Sequence, residues 1–580
     1  MCTIVVTFNE NEPDNLRAMA MAVRHRGPDT LETWTNDRHG VAGCRLSIFG
    51  DKSAPIVYHD LVTGLTVLLN GEIYNYHDLW NELSRQGYWP STDLEAELIA
   101  RLYAIHGTDF ASCLKGMFAV AILDDQNLVL ARDRFGIKPL YYYQVGKTTL
   151  VCSEIKGLLA HPKVSPVLNT TALEETYVFG YVYSQGETFF QGIKQVLPGS
   201  VVSIDSAGVM AKSIFGVLPP ARQLNGCFGY DYPSAVKQTR HLLIQSVERM
   251  LQHGAMEKGL YLSGGVDSTT IAYVARRELD YPLKTFTLGD SPDTPDFQMA
   301  RLVANALGTE HKEFLISTDD YWRSLPDYLA HFESLMAGGV FHIQGGLAFH
   351  ILSKFISDHV RVAFSGEGAD ELFGGYYWIY THPLGFSDRI RGRLSKLQKN
   401  GRVMDFVETI FPEPEDEGLY RRNLFDHLLR GGLSNYHLQS VDRSGGAFGF
   451  EIRPLYLDDD LAQWAMELPI EYKVPDNKTT KKILRDTFRE DFENLGIQEV
   501  TTRLKMGMPS AVANLEAKIS EQVEGAITDE EIRKHPLSHL LDSKMGLLLF
   551  DLFEHIFFHG WDHHSDTPPP GSLLSRVWPQ

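Results

Sequence analysis

A cysteine stands at position 2 and becomes the first residue if Met1 is removed. Its own α-amine, with a reference pKa of about 7.7–8.0, can then take the thiol proton, leaving a nucleophile suited to an amide carbonyl. Far along the chain, Ser263-Gly264-Gly265-Val266-Asp267-Ser268 follows the apolar run 259–262 and precedes a helix-like stretch. Two glycines let the backbone approach a ligand, and the turn into a helix aims N–H groups and hydroxyls at an anion. That order suits pyrophosphate, although the Walker spacing G-x-x-x-x-G-K-[ST] is absent. A second cluster, Ser365-Gly366-Glu367-Gly368-Ala369-Asp370, follows the apolar run 360–364. Asp267 and Asp370 would then stand at neighbouring strand ends and offer hard oxygens to Mg²⁺ beside phosphate oxygens. Glu367, in the same turn, could contact an acceptor, organise the site or assist proton transfer. Farther on, Lys481 and Lys482 open a helix-like run. Lys481 is the cation expected to stabilise the charge that grows on departing pyrophosphate.

Residues so far apart need two scaffolds. Residues 1–206 alternate short β-rich runs (3–8, 65–69, 118–123, 128–131 and 149–152) with turns and a few helical stretches, which suits an α+β sandwich. A looser stretch, 207–233, reads as a linker, and 234–580 as a second domain with longer helical periodicity. There the apolar runs 259–262, 284–288 and 360–364 alternate with helices, the pattern of a parallel α/β sheet that binds ligands at its carboxyl ends.

Composition narrows the partners. With 74 acidic against 54 basic residues the formal charge is −20, so nucleic acid and anionic membranes are not expected partners. Five cysteines without C-x-x-C spacing indicate neither a disulfide framework nor a zinc site, and fit a reducing cytoplasm. The start has no basic n-region, so no signal peptide is expected. The apolar stretch 545–558 is interrupted by Asp551, Glu554 and His555, and predicts a buried helix rather than a membrane span.

The S-G-G-x-D-S string resembles the pyrophosphate loop of enzymes that adenylate a substrate, among them asparagine, GMP and NAD synthetases and tRNA thiolases. Residues 24–29 (Arg24-His25-Arg26-Gly27-Pro28-Asp29), 45–48, 70–75 (Asn70-Gly71-Glu72-Ile73-Tyr74-Asn75), Thr92-Asp93 and 132–141 resemble the glutaminase domain of N-terminal-cysteine glutamine amidotransferases. With Ser153-Glu154-Ile155-Lys156, Leu197-Pro198-Gly199 and residues 449–458, nearly the whole chain is similar to the glutamine-hydrolysing asparagine synthetase family.

This resemblance implies an Ntn-type glutaminase fold followed by an ATP-pyrophosphatase fold. It implies an oxyanion hole from the Asn70 side chain and the Gly71 N–H. Arg45 would pair with the glutamine α-carboxylate and Asp93 with its α-amine, and Glu72 would join that site. ATP would lie against Ser263, Gly264, Gly265, Asp267, Ser268, Leu288, Ser365 and Gly366. An internal tunnel would carry ammonia to an adenylated carboxylate, with aspartate as the default acceptor. A homodimer is that family's usual habit.

Three rivals are weaker. A non-catalytic relative would not need Cys2, Asn70, Asp267, Asp370 and Lys481 together. A ring-closing enzyme such as β-lactam synthetase needs no glutaminase. A metalloenzyme on His555, His559, His563 and His564 lacks H-E-x-x-H, and these read as core and tail histidines. One departure bears on the acceptor. Where relatives carry a polar run with Thr, Arg and Ser-Thr-Pro, this chain has residues 338–346, whose candidate polar contacts are His342 and Gln344. Residues 451–455 also move a proline, and 503–508 replace a more acidic loop. These changes favour an acid larger or less charged than aspartate, of the sort amidated in natural-product or cell-envelope pathways, unless Arg453 or another cation moves in.

Overall fold

The structure is a computed structural model that describes residues 2–48, 54–184, 186–216, 229–254, 256–335, 340–376, 383–395, 397, 428–476, 478–504, 511–541 and 543–579. In the first half lie β1 (Val5–Phe8), β2 (Thr30–Thr35), β3 (Gly40–Arg45), β4 (Tyr58–Asp60), β5 (Leu65–Ile73) and β6 (Gly116–Leu123). They are followed by β7 (Asn127–Arg132), β8 (Tyr141–Val145), β9 (Thr148–Cys152), β10 (Lys194–Gln195), β11 (Ser200–Asp205) and β12 (Met210–Ile214). These strands form two six-stranded sheets, ordered β10-β8-β9-β1-β3-β2 and β12-β11-β7-β6-β5-β4.

Alternation along β6 shows how the layers assemble. Phe118, Val120 and Ile122 pack with Leu79, Trp80, Leu98 and Leu102 of the helices Tyr76–Arg85 and Glu95–His106. Ala119 and Ala121 face Val6 of β1 and Val151 of β9 in the other sheet. Period-2 side chains thus bury both faces, one on helices and one on the facing sheet. The far face of the first sheet is covered by Leu16 and Met19 of the helix Pro13–Ala22 and by Leu158. The result is the expected α+β sandwich, and β12 carries it into the stretch read from sequence as a linker.

The second half holds five parallel strands: β13 (Lys258–Tyr261), β14 (Lys284–Gly289), β15 (Glu310–Leu315), β16 (Val362–Ser365) and β17 (Glu451–Pro454). Their order is β15-β14-β13-β16-β17. The direction of strand succession reverses between β13 and β16, so their carboxyl ends open a crevice where such sheets bind ligands. The loops carrying Asp267 and Asp370 follow these two strands. Residues 545–558 form the amphipathic helix Lys544–Phe557, buried through Leu548, Phe550, Leu552 and Phe553. No helix among the described residues is long and apolar enough to cross a membrane.

The two halves meet along a seam of buried charge. Arg26 donates to Glu154 Oε1 (2.7 Å) and to both carboxylate oxygens of Asp442 (2.7 and 3.0 Å). Arg443 lies 3.0 Å from Glu154 and 2.9 Å from Glu333, whose carboxylate also accepts the backbone N–H groups of Ile155 and Lys156. Beside this cluster, Lys138 reaches Glu451 at 3.2 Å. Arg26, Glu154 and Glu333 are all within 1% of complete burial. Removing one member of such a group strands the others without water, at a cost of about 3–5 kcal/mol. Arg26→Met should therefore lower the denaturation midpoint clearly and expose the interface to protease, and a wild-type melting curve would show that the seam does not hold the halves together.

Candidate active sites

The first site is built where β3 and β5 approach the chain start. Cys2 bridges Arg45 at the end of β3, and its backbone nitrogen donates to Asn70 Oδ1 at 3.0 Å. That nitrogen becomes the α-amine once Met1 is lost. With Oδ1 occupied, Asn70 Nδ2 is a buried donor with no partner among the described residues. Such an orphan is costly unless a ligand oxygen meets it. Gly71 has φ of +144°, and a side chain there would collide with Met117 O, so only glycine fits. Burial pushes the Cys2 thiol up, partly countered by positive charge at the N-terminus and Arg45. A neutral thiol needs a base before it can act as a nucleophile.

The other predicted glutamine contacts separate. Arg45 is buried and donates to Ala54 O at 2.7 Å, while Asp93 is exposed ahead of the helix Glu95–His106. Glu72 turns its carboxylate to the seam, 2.5 Å from His253 Nε2 and 3.7 Å from Arg453. Residues 132–138 act as scaffold: Asp133 accepts backbone N–H groups from Phe118, Phe135, Ile137 and Lys138, and Arg132 donates to three carbonyls.

The second site occupies the crevice between β13 and β16, around a cavity of about 180 Å³. Ser263, Gly265, Asp267, Ser268, Leu288, Ser365, Gly366, Glu367, Asp370 and Lys481 all line it. Gly264 does not; with φ of +70°, it packs on Met299 and lets the loop turn. Gly265 caps the helix Val266–Tyr273 and donates to Ser263 Oγ at 3.3 Å. Lys481 Nζ sits between Asp267 (2.6 Å) and Asp370 (2.5 Å). Its backbone is left-handed at φ of +53°, a conformation that costs of order 1–3 kcal/mol and persists only where surroundings enforce it. Two carboxylates against one ammonium leave net negative charge and hard oxygens at the cavity wall, a donor set that fits Mg²⁺.

Sequence reasoning missed the surroundings of Glu367. His437 Nδ1 lies 3.7 Å from Glu367, and His437 Nε2 lies 3.0 Å from the Tyr376 hydroxyl, which donates to Glu371 at 2.5 Å. Burial, then Glu371, pushes the Tyr376 phenol well up, so it stays a donor. His437 is 70 residues away in sequence from Glu367 and carries no local motif, which is why only the fold reveals it. Gly338, Gly339 and residues 505–508 lie outside the described residues, as do the side chains of His342 and Gln344.

A family model described as a glutamine amidotransferase domain matches residues 1–215, and one described as asparagine synthase matches residues 238–561. The chain belongs to the glutamine-hydrolysing asparagine synthetase family. With the family it is a carbon–nitrogen ligase. It is 29% identical to asparagine synthetase [glutamine-hydrolyzing] 1 of Bacillus subtilis (strain 168), over 93% of each chain. The asparagine synthetase [glutamine-hydrolyzing] of Gallus gallus is 27% identical over 93% of this chain and 91% of that one. That of Mesocricetus auratus is 28% identical over 96% and 93%. The first matched family model ends just after β12 and the second begins within the helix Tyr232–Gln252, where the structure also changes from sandwich to parallel sheet.

Glycine at position 375 is forced by this site, because a Cβ there would collide with Asp370 Oδ1 and Lys481 Cε. Gly375→Ala should weaken ATP binding by about tenfold or more, roughly 1.4 kcal/mol, with glutamine hydrolysis unchanged. Equal ATP affinity by calorimetry would show that the Lys481 clamp does not shape the nucleotide site.

Proposed function

We propose that the chain hydrolyses glutamine at Cys2 and uses the freed ammonia to amidate a carboxylic acid activated by ATP. The observation that carries this reading is the presence, in one chain, of a cysteine beside an orphaned amide donor and of a lysine clamped by two aspartates at a sheet switch point. The Cys2 sulfur attacks the glutamine carboxamide carbon as its proton passes to the α-amine. The oxyanion is met by Asn70 Nδ2 and the Gly71 N–H. The C–N bond breaks, ammonia leaves with the proton, and water cleaves the thioester to glutamate. Arg45 and Asp93 are the proposed partners of the glutamine α-carboxylate and α-amine.

At the second site the acceptor carboxylate attacks the α-phosphorus of ATP and expels pyrophosphate. Ammonia then displaces AMP to form the amide. Asp267 and Asp370 would hold Mg²⁺, which would neutralise phosphate oxygens. Lys481 stands where charge grows on the leaving pyrophosphate, and the Ser263–Ser268 loop cradles it. Glu367, with His437 Nδ1 3.7 Å away, is the proposed residue to contact the acceptor, organise the site or assist proton transfer from the attacking ammonia. Ammonia must cross the seam unprotonated to remain a nucleophile.

Aspartate is the default acceptor, since the relatives are named for its amide. A larger or less charged acid is the second reading, favoured by how the nearby cations are used. Arg485 donates to the carbonyls of Thr480, Thr501 and Arg503, and Arg503 pairs with Asp296. Arg453, a candidate replacement cation, is fully buried on Glu451 and the carbonyls of Met250 and His253. Apolar Tyr261, Phe286, Phe349 and Leu352 complete the cavity.

Two assays test these readings. Cys2→Ala should abolish product formation from glutamine by at least ~10³-fold while ammonium chloride still supports it. Retained glutamine use would remove Cys2 as nucleophile. Purified protein given glutamine, ATP and aspartate separates the acceptors. Asparagine formed at about one turnover per second or faster, within the ordinary enzyme range, establishes aspartate; pyrophosphate exchange with another acid alone establishes the second reading.

A further inference from the structure

The histidines of the tail are not scattered. After the helix Lys544–Phe557 the chain turns at Asp562, whose carboxylate accepts the His564 N–H at 3.0 Å. This turn sets His563 and His564 against Asp327, on the helix Thr318–Phe332. His563 Nε2 lies 4.0 Å and His564 Nδ1 3.9 Å from the same Asp327 oxygen, Oδ1, and the three ligand atoms all lie within 4.8 Å of one another. The other oxygen, Oδ2, accepts from His350 Nε2 at 2.8 Å, which fixes the carboxylate's rotation.

These separations are too long for hydrogen bonds. They are close to what a shared ion imposes. Ligands about 2.1 Å from a tetrahedral ion stand roughly 3.4 Å apart, so a shift of about half an ångström would bring each histidine nitrogen to that spacing from Asp327 Oδ1. We propose that Asp327, His563 and His564 bind one divalent first-row transition-metal ion that ties the C-terminal tail to the helix Thr318–Phe332.

Two imidazoles with one carboxylate suit Zn²⁺ or its neighbours rather than Mg²⁺, which keeps to oxygen. His350, which fixes the carboxylate through Oδ2, plays the orienting role that outer partners play at metal sites. His331 Nε2 is 3.5 Å from Asp327 Oδ1, while its Nδ1 lies 2.8 Å from Lys156 Nζ. That contact makes His331 a neighbour rather than a ligand.

The three ligands face a cavity of about 800 Å³, also lined by His25, Lys156, Arg323 and Lys354. It leaves room for water or a small anion at the remaining positions. A second grouping, His25, Glu154 and His331, is less suited, because Glu154 already pairs with Arg26, Lys156 and Arg443. His555 and His559, the i, i+4 pair visible in the sequence, contribute no ligand to either grouping.

The test uses full-length, tag-free protein stripped with chelator. Co²⁺ is titrated while its visible absorption is followed, and Zn²⁺ is then added in competition. The account expects one Co²⁺ per chain with a low-coordinate spectrum, displaced by Zn²⁺. His564→Ala and Asp327→Asn should each weaken binding by at least about tenfold, and the double variant His555→Ala/His559→Ala should not change it. His564 is 69% exposed at its side chain, so its removal leaves the fold intact. The proposal is overturned by no stoichiometric binding, by less than tenfold weakening in His564→Ala, or by equal weakening in the His555/His559 variant.

Discussion

Charge buried between the two halves sets the geometry of everything else. Arg26 is shared by Glu154 of its own half and Asp442 of the other, and none of these groups can return to water while the halves stay together. Taking ions out of water is expensive unless each finds a partner in good geometry. Arg26 Nε also lies 3.5 Å from the Cys2 carbonyl, so the clasp reaches the backbone of Cys2. On the opposite side, Glu451 and Arg453 belong to β17, the neighbour of β16, which ends at Ser365. The seam therefore connects the two sites through backbone and ion pairs alone.

Each site adds a local device to that frame. In the sandwich, Gly71 leaves room that no side chain could share, and with Oδ1 occupied Asn70 Nδ2 has no partner among the described residues. In the parallel sheet, Lys481 is forced into a left-handed backbone between two carboxylates, and Gly375 leaves the room this requires. Each device carries a modest local cost.

Much of this was legible in the sequence, and the part that was not has physical causes. The short β-rich runs 118–123 and 128–131 made β6 and β7 readable, and the apolar runs ahead of the two glycine loops marked β13 and β16. β15 and β17 were missed because Glu310, His311, Lys312, Glu313, Glu451 and Arg453 break the apolar pattern expected of parallel strands. β12 was read as linker because four of its five residues are exposed. The seam was invisible for another reason: Arg26 and Asp442 are 416 residues apart, and no periodicity reports a pairing at that range. The same holds for Glu72, whose place in a recognised string said nothing of His253, and for Asp327 with the tail histidines.

The central claim is that ammonia made at Cys2 reaches the second site without leaving the protein. It is tested by supplying glutamine labelled with ¹⁵N at its side-chain amide together with excess unlabelled ammonium at neutral pH, and measuring the isotope in the amide product. Transfer through the interior predicts that the product keeps the glutamine label despite the excess. A label diluted to the ratio of the bulk ammonium pool would contradict it.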